Sequence, residues 1–271
     1  FAINEAIPAQ FLFFFHANIL HADQHQDAAE HRFLMRVVWD LAGFDLPISR
    51  FQAAFTPIAE ARQMQWQLHV SDKRPRMAVF VSQYEHCLVD LMHRYRIGEL
   101  GCDIPLVIGN HESMRHLVEY NGIPFYHIPV SADTKAQAEA TQLALLQEAA
   151  VDVIVLARYM QVLSPAFVAA YPNRIINIHH SFLPAFDGAR PYHRAHARGV
   201  KLIGATSHYV TSDLDEGPII EQEVTRVSHR DNVADLAEKG RDLEKVVLSR
   251  AVKWHLQSRV LSYNNRTVVF D

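Results

Sequence analysis

Short apolar segments alternate with segments of helical periodicity in the chain from residue 77 onward. The apolar segments lie at residues 77–81, 104–108, 151–156 and 174–178, and the helical ones at residues 86–96, 114–120, 136–150 and 165–170. A continuously apolar strand is buried on both faces, which is typical of a parallel sheet covered by helices. The alternation therefore predicts an α/β domain with a mostly parallel sheet.

The N-terminal part of the chain follows a different pattern. Residues 33–40 are rich in β-branched and aromatic types, and residues 64–70 alternate apolar with polar types, as half-buried strands do. The apolar spacing over residues 51–62 predicts a helix between these strands. A polar stretch with a proline follows. We therefore predict a small α+β module at residues 1–75 and a second domain at residues 76–271.

The last part of the chain contains longer elements. Two partly exposed strands are predicted at residues 202–210 and 218–227, a helix at residues 241–259 and a terminal hairpin at residues 260–270. We expect the basic residues of this helix, which are Arg241, Lys245, Arg250 and Lys253, to form a solvated face with i,i+4 partners such as Glu244.

The composition excludes several classes of protein. The chain has 26 Lys and Arg residues against 30 Asp and Glu residues, and this net charge of −4 argues against a general nucleic-acid binder. Residues 6–22 carry no charge but include polar residues, whereas a membrane span needs about 20 predominantly apolar ones. The spacing of the 10 glycines excludes the dinucleotide-binding, kinase and P-loop motifs. Two cysteines make no disulfide framework, which predicts a cytoplasmic protein.

The first candidate for chemistry lies at the end of the predicted strand at residues 174–178. Asn177 and His179 are two residues apart, so their side chains project to the same side of an extended segment. An amide can donate to a developing oxyanion, and a histidine can donate to the same oxygen or carry a proton near pH 7. A polar loop with satisfied histidines is the alternative interpretation.

The second candidate is an acidic turn that follows the predicted strand at residues 202–210. Asp213, Asp215 and Glu216 lie within one short turn. Their mutual repulsion can raise the pKa of one carboxyl toward the range of acid–base catalysis. The alternative is a solvated turn whose Asp side chains bind the local backbone.

The histidine content, 17 residues, raises the question of a metal site. The histidines that could supply ligands are His179, His180, His193, His196 and His208. No His-Glu-x-x-His motif or other compact ligand spacing occurs. We therefore expect neither a metal nor a bound cofactor.

Two motifs, in this order, resemble the folate-dependent formyltransferase family. They are Asn177-x-His179-x-Ser181-x-Leu183-Pro184 and, later in the chain, His208 with Leu214-Asp215-x-Gly217-Pro218. The resemblance covers residues 76–270 and implies a Rossmann-like formyltransferase domain. It also implies that Asn177, His179 and Asp215 form the catalytic trio.

The same resemblance implies a folate substrate and the residues that bind it. Residues 157–165 are similar to the family segment that holds the pterin, and residues 211–215 are similar to the loop on its other side. The substrate-binding residues that the resemblance implies are Met160, Gln161, Val162, Leu163, Gly188, His208 and Thr211.

Within the family, the chain resembles the hydrolytic members, which split 10-formyltetrahydrofolate into formate and tetrahydrofolate and supply formate for purine synthesis. Transferases of the glycinamide ribonucleotide type hold the acceptor phosphate in a glycine-containing turn. Here residues 82–87 contain no glycine, and Glu85 repels a phosphate. The resemblance thus implies that Asp215 activates water while Asn177 and His179 stabilise the oxyanion. An amine-directed transferase and a non-catalytic folate or amino-acid sensor stay open as alternatives.

The N-terminal module resembles the ACT domain, a ferredoxin-like regulatory module. The resemblance rests on residues 17–25 and on the strand predicted at residues 33–40, whereas residues 1–10 do not match the strand that opens such modules. It implies an amino-acid effector and a homo-oligomer. We expect no nucleic-acid or membrane partner.

Overall fold

The computed structural model describes residues 2–184 and 190–270. The chain divides into two compact units, one with the residues up to Lys73 and from Val268 onward, the other with residues 74–267.

The first unit is built around a cluster of aromatic side chains. Its elements are helix α1 (Ala2–Phe14), strands β1 (Asn18–Asp27) and β2 (Arg32–Asp40), and helix α2 (Ile48–Ala61). The two strands form an antiparallel two-stranded sheet. Phe51 of α2 stacks on Trp39 of β2 and meets Phe11 of α1 edge to face. The predicted strand at residues 33–40 and helix at residues 51–62 are confirmed.

The strand predicted at residues 64–70 is wrong. Among the described residues, no strand pairs with this segment, so no ladder of backbone hydrogen bonds forms. Trp66 and Leu68 nevertheless pack against the aromatic cluster. The alternation of polar and apolar residues thus reflects burial of one side of an extended segment.

The second unit contains a seven-stranded sheet. Its strands are β3 (Met77–Val81), β4 (Val107–Gly109), β5 (Phe125–His127), β6 (Val153–Ala157), β7 (Ile175–His179), β8 (Leu202–Tyr209) and β9 (Ile219–Arg226). They are arranged in the order β5-β4-β3-β6-β7-β8-β9, with β3 to β7 parallel and β8 and β9 antiparallel. The mostly parallel α/β sheet is confirmed.

Helices cover this sheet on both faces. They are α3 (His86–Arg96), α4 (Arg115–Tyr120), α5 (Lys135–Glu148), α6 (Pro165–Ala170), α7 (Pro191–Arg198) and α8 (Val233–Leu256). Val79 and Val81 of β3 belong to one apolar cluster, and Ala78 and Phe80 belong to another. Because alternate residues of a strand point to opposite faces, a strand covered twice must be apolar throughout. Within the described residues, no helix is both long and apolar enough to cross a bilayer.

Helix α8 begins at Val233, well before the predicted start at residue 241. A capping box explains the earlier start: the Asn232 side chain accepts from the backbone of Ala234 and Asp235, and the Asp235 side chain accepts from the backbone N–H of Asn232. The helix is followed by the predicted hairpin, with strands β10 (Val260–Tyr263) and β11 (Arg266–Val269).

The order of the strands reverses between β3 and β6. The chain builds β4 and β5 on one side of β3, then returns to place β6 and β7 on the other side. In open α/β sheets, ligands bind outside the carboxyl ends of the strands at such a reversal. The topology therefore predicts a ligand site beside the segments that leave β3 and β6.

Candidate active site

Four polar side chains share one face of the paired strands β7 and β8. Asn177 lies directly opposite His208, and His179 lies opposite Thr206. Residues directly opposite each other in an antiparallel pair project to the same face. The predicted pair Asn177 and His179 thus joins His208 of the second motif through strand register alone.

Asp215 lies in the loop between β8 and β9 and completes this group. Its Oδ2 atom is 3.2 Å from Nδ1 of His179, and its Oδ1 atom is 3.5 Å from Nε2 of His208. Its backbone φ of 57° is in the left-handed region, which non-glycine residues seldom adopt. The structure therefore brings Asn177, His179, His208 and Asp215 together.

Gly217 allows the loop to come this close to the sheet. A Cβ atom at this position would overlap the carbonyl oxygen of Tyr209, so only glycine fits. The backbone N–H of Tyr209 also donates to the carbonyl oxygen of Pro218 at 2.9 Å. These contacts give a physical reason for the Asp-x-Gly-Pro spacing.

The ionised form of Asp215 is favoured by its neighbours. Burial acts to raise the pKa of this carboxyl, but the adjacent imidazoles of His179 and His208 outweigh burial and hold the pKa well below its usual range. The repulsion expected among the acidic residues of the turn does not dominate, because Asp213 and Glu216 are solvent-exposed. The sequence-based expectation of a raised pKa is therefore wrong for Asp215.

His208 orients the amide of Asn177. Its Nδ1 atom lies 2.9 Å from the carbonyl oxygen of Tyr209, which can only accept, so Nδ1 carries a proton. In the neutral imidazole, Nε2 accepts from the Asn177 Nδ2 atom at 3.2 Å. An amide has two N–H groups, so the second one stays available to a ligand.

His179 also has a nitrogen to offer. Its side chain is buried, and Nε2 has no hydrogen-bond partner among the described residues. Because Nδ1 faces Asp215, a protonated His179 would present an N–H at Nε2. Asn177 and His179 thus each hold a donor that no other described residue uses, and such donors are what an oxyanion site needs.

A second set of hydrogen bonds holds the turn after β7. Thr206 Oγ1 donates to the carbonyl oxygen of Ser181 at 2.9 Å and accepts from the backbone N–H of Leu183 at 3.0 Å. Gln222 of β9 donates to both Thr206 and the carbonyl oxygen of Leu183. The predicted substrate-binding residue Gly188 lies outside the described residues.

The segment after β6 exposes the apolar side chains expected to hold a pterin. Met160 and Val162 are more than half exposed, Gln161 is half-buried and Leu163 is buried. Exposed apolar side chains close together are common at ligand sites. Three hydrogen bonds brace the segment: the Ser82 hydroxyl accepts from Met160 N–H, Glu139 from Ser164 N–H, and the Tyr159 hydroxyl from the Gln142 amide.

The loop that carries Asp215 contributes the remaining predicted contact. Thr211 is half-buried, and its hydroxyl donates to the carbonyl oxygen of Asp213 at 3.1 Å, which helps to shape the loop. Val210 and Leu163 pack in the same apolar cluster. The two segments expected to enclose the pterin therefore rest on a common apolar support.

Sequence reasoning missed a buried polar cluster near His179 and His180. Glu244 of α8 is 1 % exposed and accepts from His86 Nε2 at 2.7 Å and from the Tyr192 hydroxyl at 2.9 Å. The Nε atom of Arg158 lies 3.5 Å from the same carboxylate. Burial acts against ionisation, but His86 and Arg158 outweigh it and lower the pKa of Glu244.

The expected solvated position of Glu244 is therefore wrong. Helical spacing could have located the residue, because it continues the buried face of α8 that comprises Leu236, Gly240, Val247, Leu248, Ala251 and Val252. A carboxylate on the apolar face of a helix signals a buried partner.

His86, Cys87 and Glu244 place possible metal-ligand atoms within 4.8 Å of one another. His86 and Glu244 are already hydrogen-bonded to each other, and the Arg158 guanidinium brings positive charge to the carboxylate. Burial also raises the pKa of the Cys87 thiol well above its usual value, which opposes thiolate ligation. The group has the chemistry of an ion-pair network.

Comparison with known proteins complements this geometry. Residues 75–252 match the family described as "Formyl transferase". A formyltetrahydrofolate deformylase from Synechocystis is 55% identical, over 97% of this chain and 92% of that protein. The chain belongs to the formyltetrahydrofolate deformylase family. The resemblance noted from the two motifs is confirmed.

Deformylase structures share the fold over nearly the whole chain. The deformylase from Pseudomonas syringae superposes with a TM-score of 0.96 at 48% identity, covering 98% of this chain and 89% of that one. A glycinamide ribonucleotide transformylase from Symbiobacterium toebii gives a TM-score of 0.71 at 29% identity, covering 76% of this chain and 99% of that one. The formyltransferase-type sheet is thus common to deformylases and to a transformylase.

Proposed function

We propose that this protein hydrolyses 10-formyltetrahydrofolate to formate and tetrahydrofolate. The observation that carries the proposal is the convergence of Asn177, His179, His208 and Asp215 in a chain of the deformylase family. An ionised carboxylate, a histidine with an unpartnered nitrogen and an amide with an unused N–H are the groups that hydrolysis of a formamide requires.

The chemistry follows from the positions of these groups. Asp215 takes a proton from the attacking water, whose oxygen bonds to the formyl carbon. The amide of Asn177 and the Nε2–H of protonated His179 donate to the oxyanion that forms. The tetrahedral intermediate breaks its C–N10 bond, and N10 receives the proton. Formate and tetrahydrofolate leave.

Asp215 has a second role in this scheme. Its carboxylate lies 3.2 Å from Nδ1 of His179, and this contact orients the imidazole so that Nε2 points away from Asp215. The same residue that accepts the proton of water therefore supports the donor that faces the oxyanion. His208 fixes the amide of Asn177 by the contact at 3.2 Å.

The substrate is held by the segments on either side of this group. We assign the pterin to Met160, Gln161, Val162 and Leu163 on one side and to Thr211 on the other, with His208 and Gly188 as further contacts. The exposure of Met160 and Val162 supports this assignment. No metal or bound cofactor takes part in the scheme.

We propose a regulatory role for the N-terminal unit as an ACT-like module with an amino-acid effector. Its antiparallel strands and the packed helix α2 support the proposal. The two-stranded sheet has open edges within the described residues, and such edges favour pairing between copies, which supports a homo-oligomer.

Formate release would supply purine synthesis, and the free, buried Cys87 and Cys102 support a cytoplasmic location.

The experiment that tests the proposed function mixes the purified protein with 10-formyltetrahydrofolate and no amine. We expect formate and tetrahydrofolate in equal amounts, at a rate that a chelator does not change. Formation of product only after an amine is added would identify an amine-directed transferase. Binding of the folate without any product would identify a sensor.

A further inference from the structure

The cluster around Glu244 lies at the point where the strand order of the sheet reverses. His86 is the first residue of α3 and follows β3 after residues 82–85, Arg158 follows β6 directly, and both contact Glu244. A second ligand would ordinarily bind in the crevice between the ends of β3 and β6. Here side chains of the protein itself meet across that crevice.

Two further contacts join the segments that leave β3 and β6. The Ser82 hydroxyl accepts from the backbone N–H of Met160 at 2.9 Å, and the guanidinium of Arg158 lies over the ring of Tyr84 at 5.1 Å. Two side chains of the turn, Ser82 and Tyr84, thus contact the segment that leaves β6. The turn has no glycine that would allow a ligand to approach its backbone.

The electrostatics of the crevice also disfavour an anionic acceptor. Glu244, 3.5 Å from Arg158 Nε, offsets the positive charge of Arg158, whose Nε and Nη1 atoms have no hydrogen-bond partner among the described residues. Glu85 adds a negative charge at the N-terminal end of α3, where an anion would otherwise be favoured.

Helix α8 is adapted to complete the cluster. A Cβ atom on Gly240 would overlap the hydroxyl of Tyr192, so glycine is needed for this ring to lie against the helix. Gly240 and Glu244 are four residues apart and share a face, which lets the Tyr192 hydroxyl reach the carboxylate. A glycine inside a helix costs about 1 kcal/mol of helix stability relative to alanine. At position 240 this loss accompanies the contact between Tyr192 and Glu244.

The cluster extends to the proposed catalytic group. The ring of His180 lies 6.2 Å from that of Tyr192 and 5.0 Å from that of His179, measured between centroids. An acceptor amine that reached the formyl carbon from this side would have to displace the cluster.

We propose that the Glu244 cluster, comprising Tyr84, His86, Arg158, Tyr192 and Glu244, fills the space that an acceptor amine would need. Water is then the nucleophile that reaches the formyl carbon. The residues of the cluster are specificity-determining residues for the acceptor. The proposal rests on the proposed hydrolysis. In hydrolysis the oxygen of water bonds to the formyl carbon, whereas in transfer the nitrogen of an amine bonds to it. In both reactions the C–N10 bond breaks and a proton from the nucleophile goes to N10.

The test opens the crevice and measures which nucleophile is formylated. Tyr84 is half exposed, so Tyr84→Ala removes its ring with little effect on the core, and Tyr84→Ala/His86→Ala opens the crevice further. The exposed Tyr120 on α4 supplies the matched control, Tyr120→Ala. Each protein is given 10-formyltetrahydrofolate with glycinamide, and N-formylglycinamide and formate are quantified by mass spectrometry.

We expect the ratio of N-formylglycinamide to formate to rise about tenfold or more in the two crevice variants. Removing a steric block from a binding pocket changes discrimination between substrates by this order. The Tyr120→Ala ratio should equal that of the wild type. An unchanged ratio in folded Tyr84→Ala would overturn the proposal, even if the double variant does not fold. A wild-type protein that releases no formate without amine would instead contradict the proposed hydrolysis.

Discussion

Nδ1 of His179 lies 3.2 Å from Oδ2 of Asp215, so the imidazole and the carboxylate form an ion pair whenever His179 is protonated. The contact joins a residue at the end of a buried strand to one in the loop between β8 and β9. It places the proposed proton acceptor directly against the proposed oxyanion donor and orients the imidazole ring.

Asp215→Asn removes the proton acceptor and the charge that faces His179. We expect kcat to fall by about 10²–10⁴-fold, the range for loss of a general base. The exposed neighbour Asp213 provides the control, because Asp213→Asn makes the same chemical change in the same loop. Steady-state kinetics on 10-formyltetrahydrofolate measures both variants. Wild-type turnover in Asp215→Asn would show that another group activates water.

Asn177→Ala removes one proposed oxyanion donor. The loss should reduce kcat by about 10²–10³-fold with a smaller effect on KM, because the amide is needed most in the transition state. Asn121→Ala deletes an amide that bonds the backbone of α4 and serves as the control. If Asn177→Ala raises KM and leaves kcat unchanged, the amide binds the ground-state substrate and does not stabilise the oxyanion.

His180 should make the protein less stable in mild acid. Burial, assisted by the charge of Arg158 and by His179, lowers the pKa of His180 to about 4 from an ordinary value of 6.5. Between these pH values the unfolded chain binds a proton that the folded protein does not, so stability falls as pH decreases from about 6.5 toward 4.

Urea unfolding at pH 7 and pH 5 measures this effect. We expect the loss of stability between the two pH values to be smaller in His180→Gln than in the wild type. His116→Gln, at an exposed histidine of α4, should retain the wild-type loss. Equal losses in all three proteins would show that His180 does not control this pH dependence.

Gly240→Ala should destabilise the protein although alanine is the better helix former. The new methyl group overlaps the Tyr192 hydroxyl and forces the ring away from Glu244. We expect a loss of about 1–3 kcal/mol in the free energy of unfolding, as for an overpacked core.

A double-mutant cycle with Tyr192→Ala isolates this contact. When the ring is absent, Gly240→Ala should stabilise the helix by about 1 kcal/mol. The same effect of Gly240→Ala in both backgrounds, measured by urea unfolding, would mean that Tyr192 does not impose the glycine.

Local patterns predicted much of the fold and part of the candidate site. The apolar strands were predictable because a strand buried on both faces does not alternate apolar with polar residues. The spacing of Asn177 and His179 placed their side chains on one side of β7. The pairing of Asn177 with His208 depends on the register between β7 and β8, which no short segment specifies. The geometry at Asp215 depends on how the loop returns to the sheet.

The errors have physical causes of the same kind. Residues 64–70 have the alternation of a strand, but a strand also needs a neighbour with which to exchange hydrogen bonds. Glutamate is a residue type that is usually exposed. The carboxylate of Glu244 is nevertheless satisfied by residues from distant parts of the chain, namely His86, Arg158 and Tyr192. In both cases the deciding partner lies far away in sequence.

The close contact of Gly217 with the carbonyl oxygen of Tyr209 separates two parts of the loop that bears Asp215. The contact anchors the carboxyl side of that residue, while Ser212, Asp213 and Leu214 on its amino side are exposed. Mutations in the exposed part can accumulate without moving the carboxylate. The exposed residues 212–214 can therefore vary while the carboxylate stays anchored from its other side, and a designer could exchange them as a cassette.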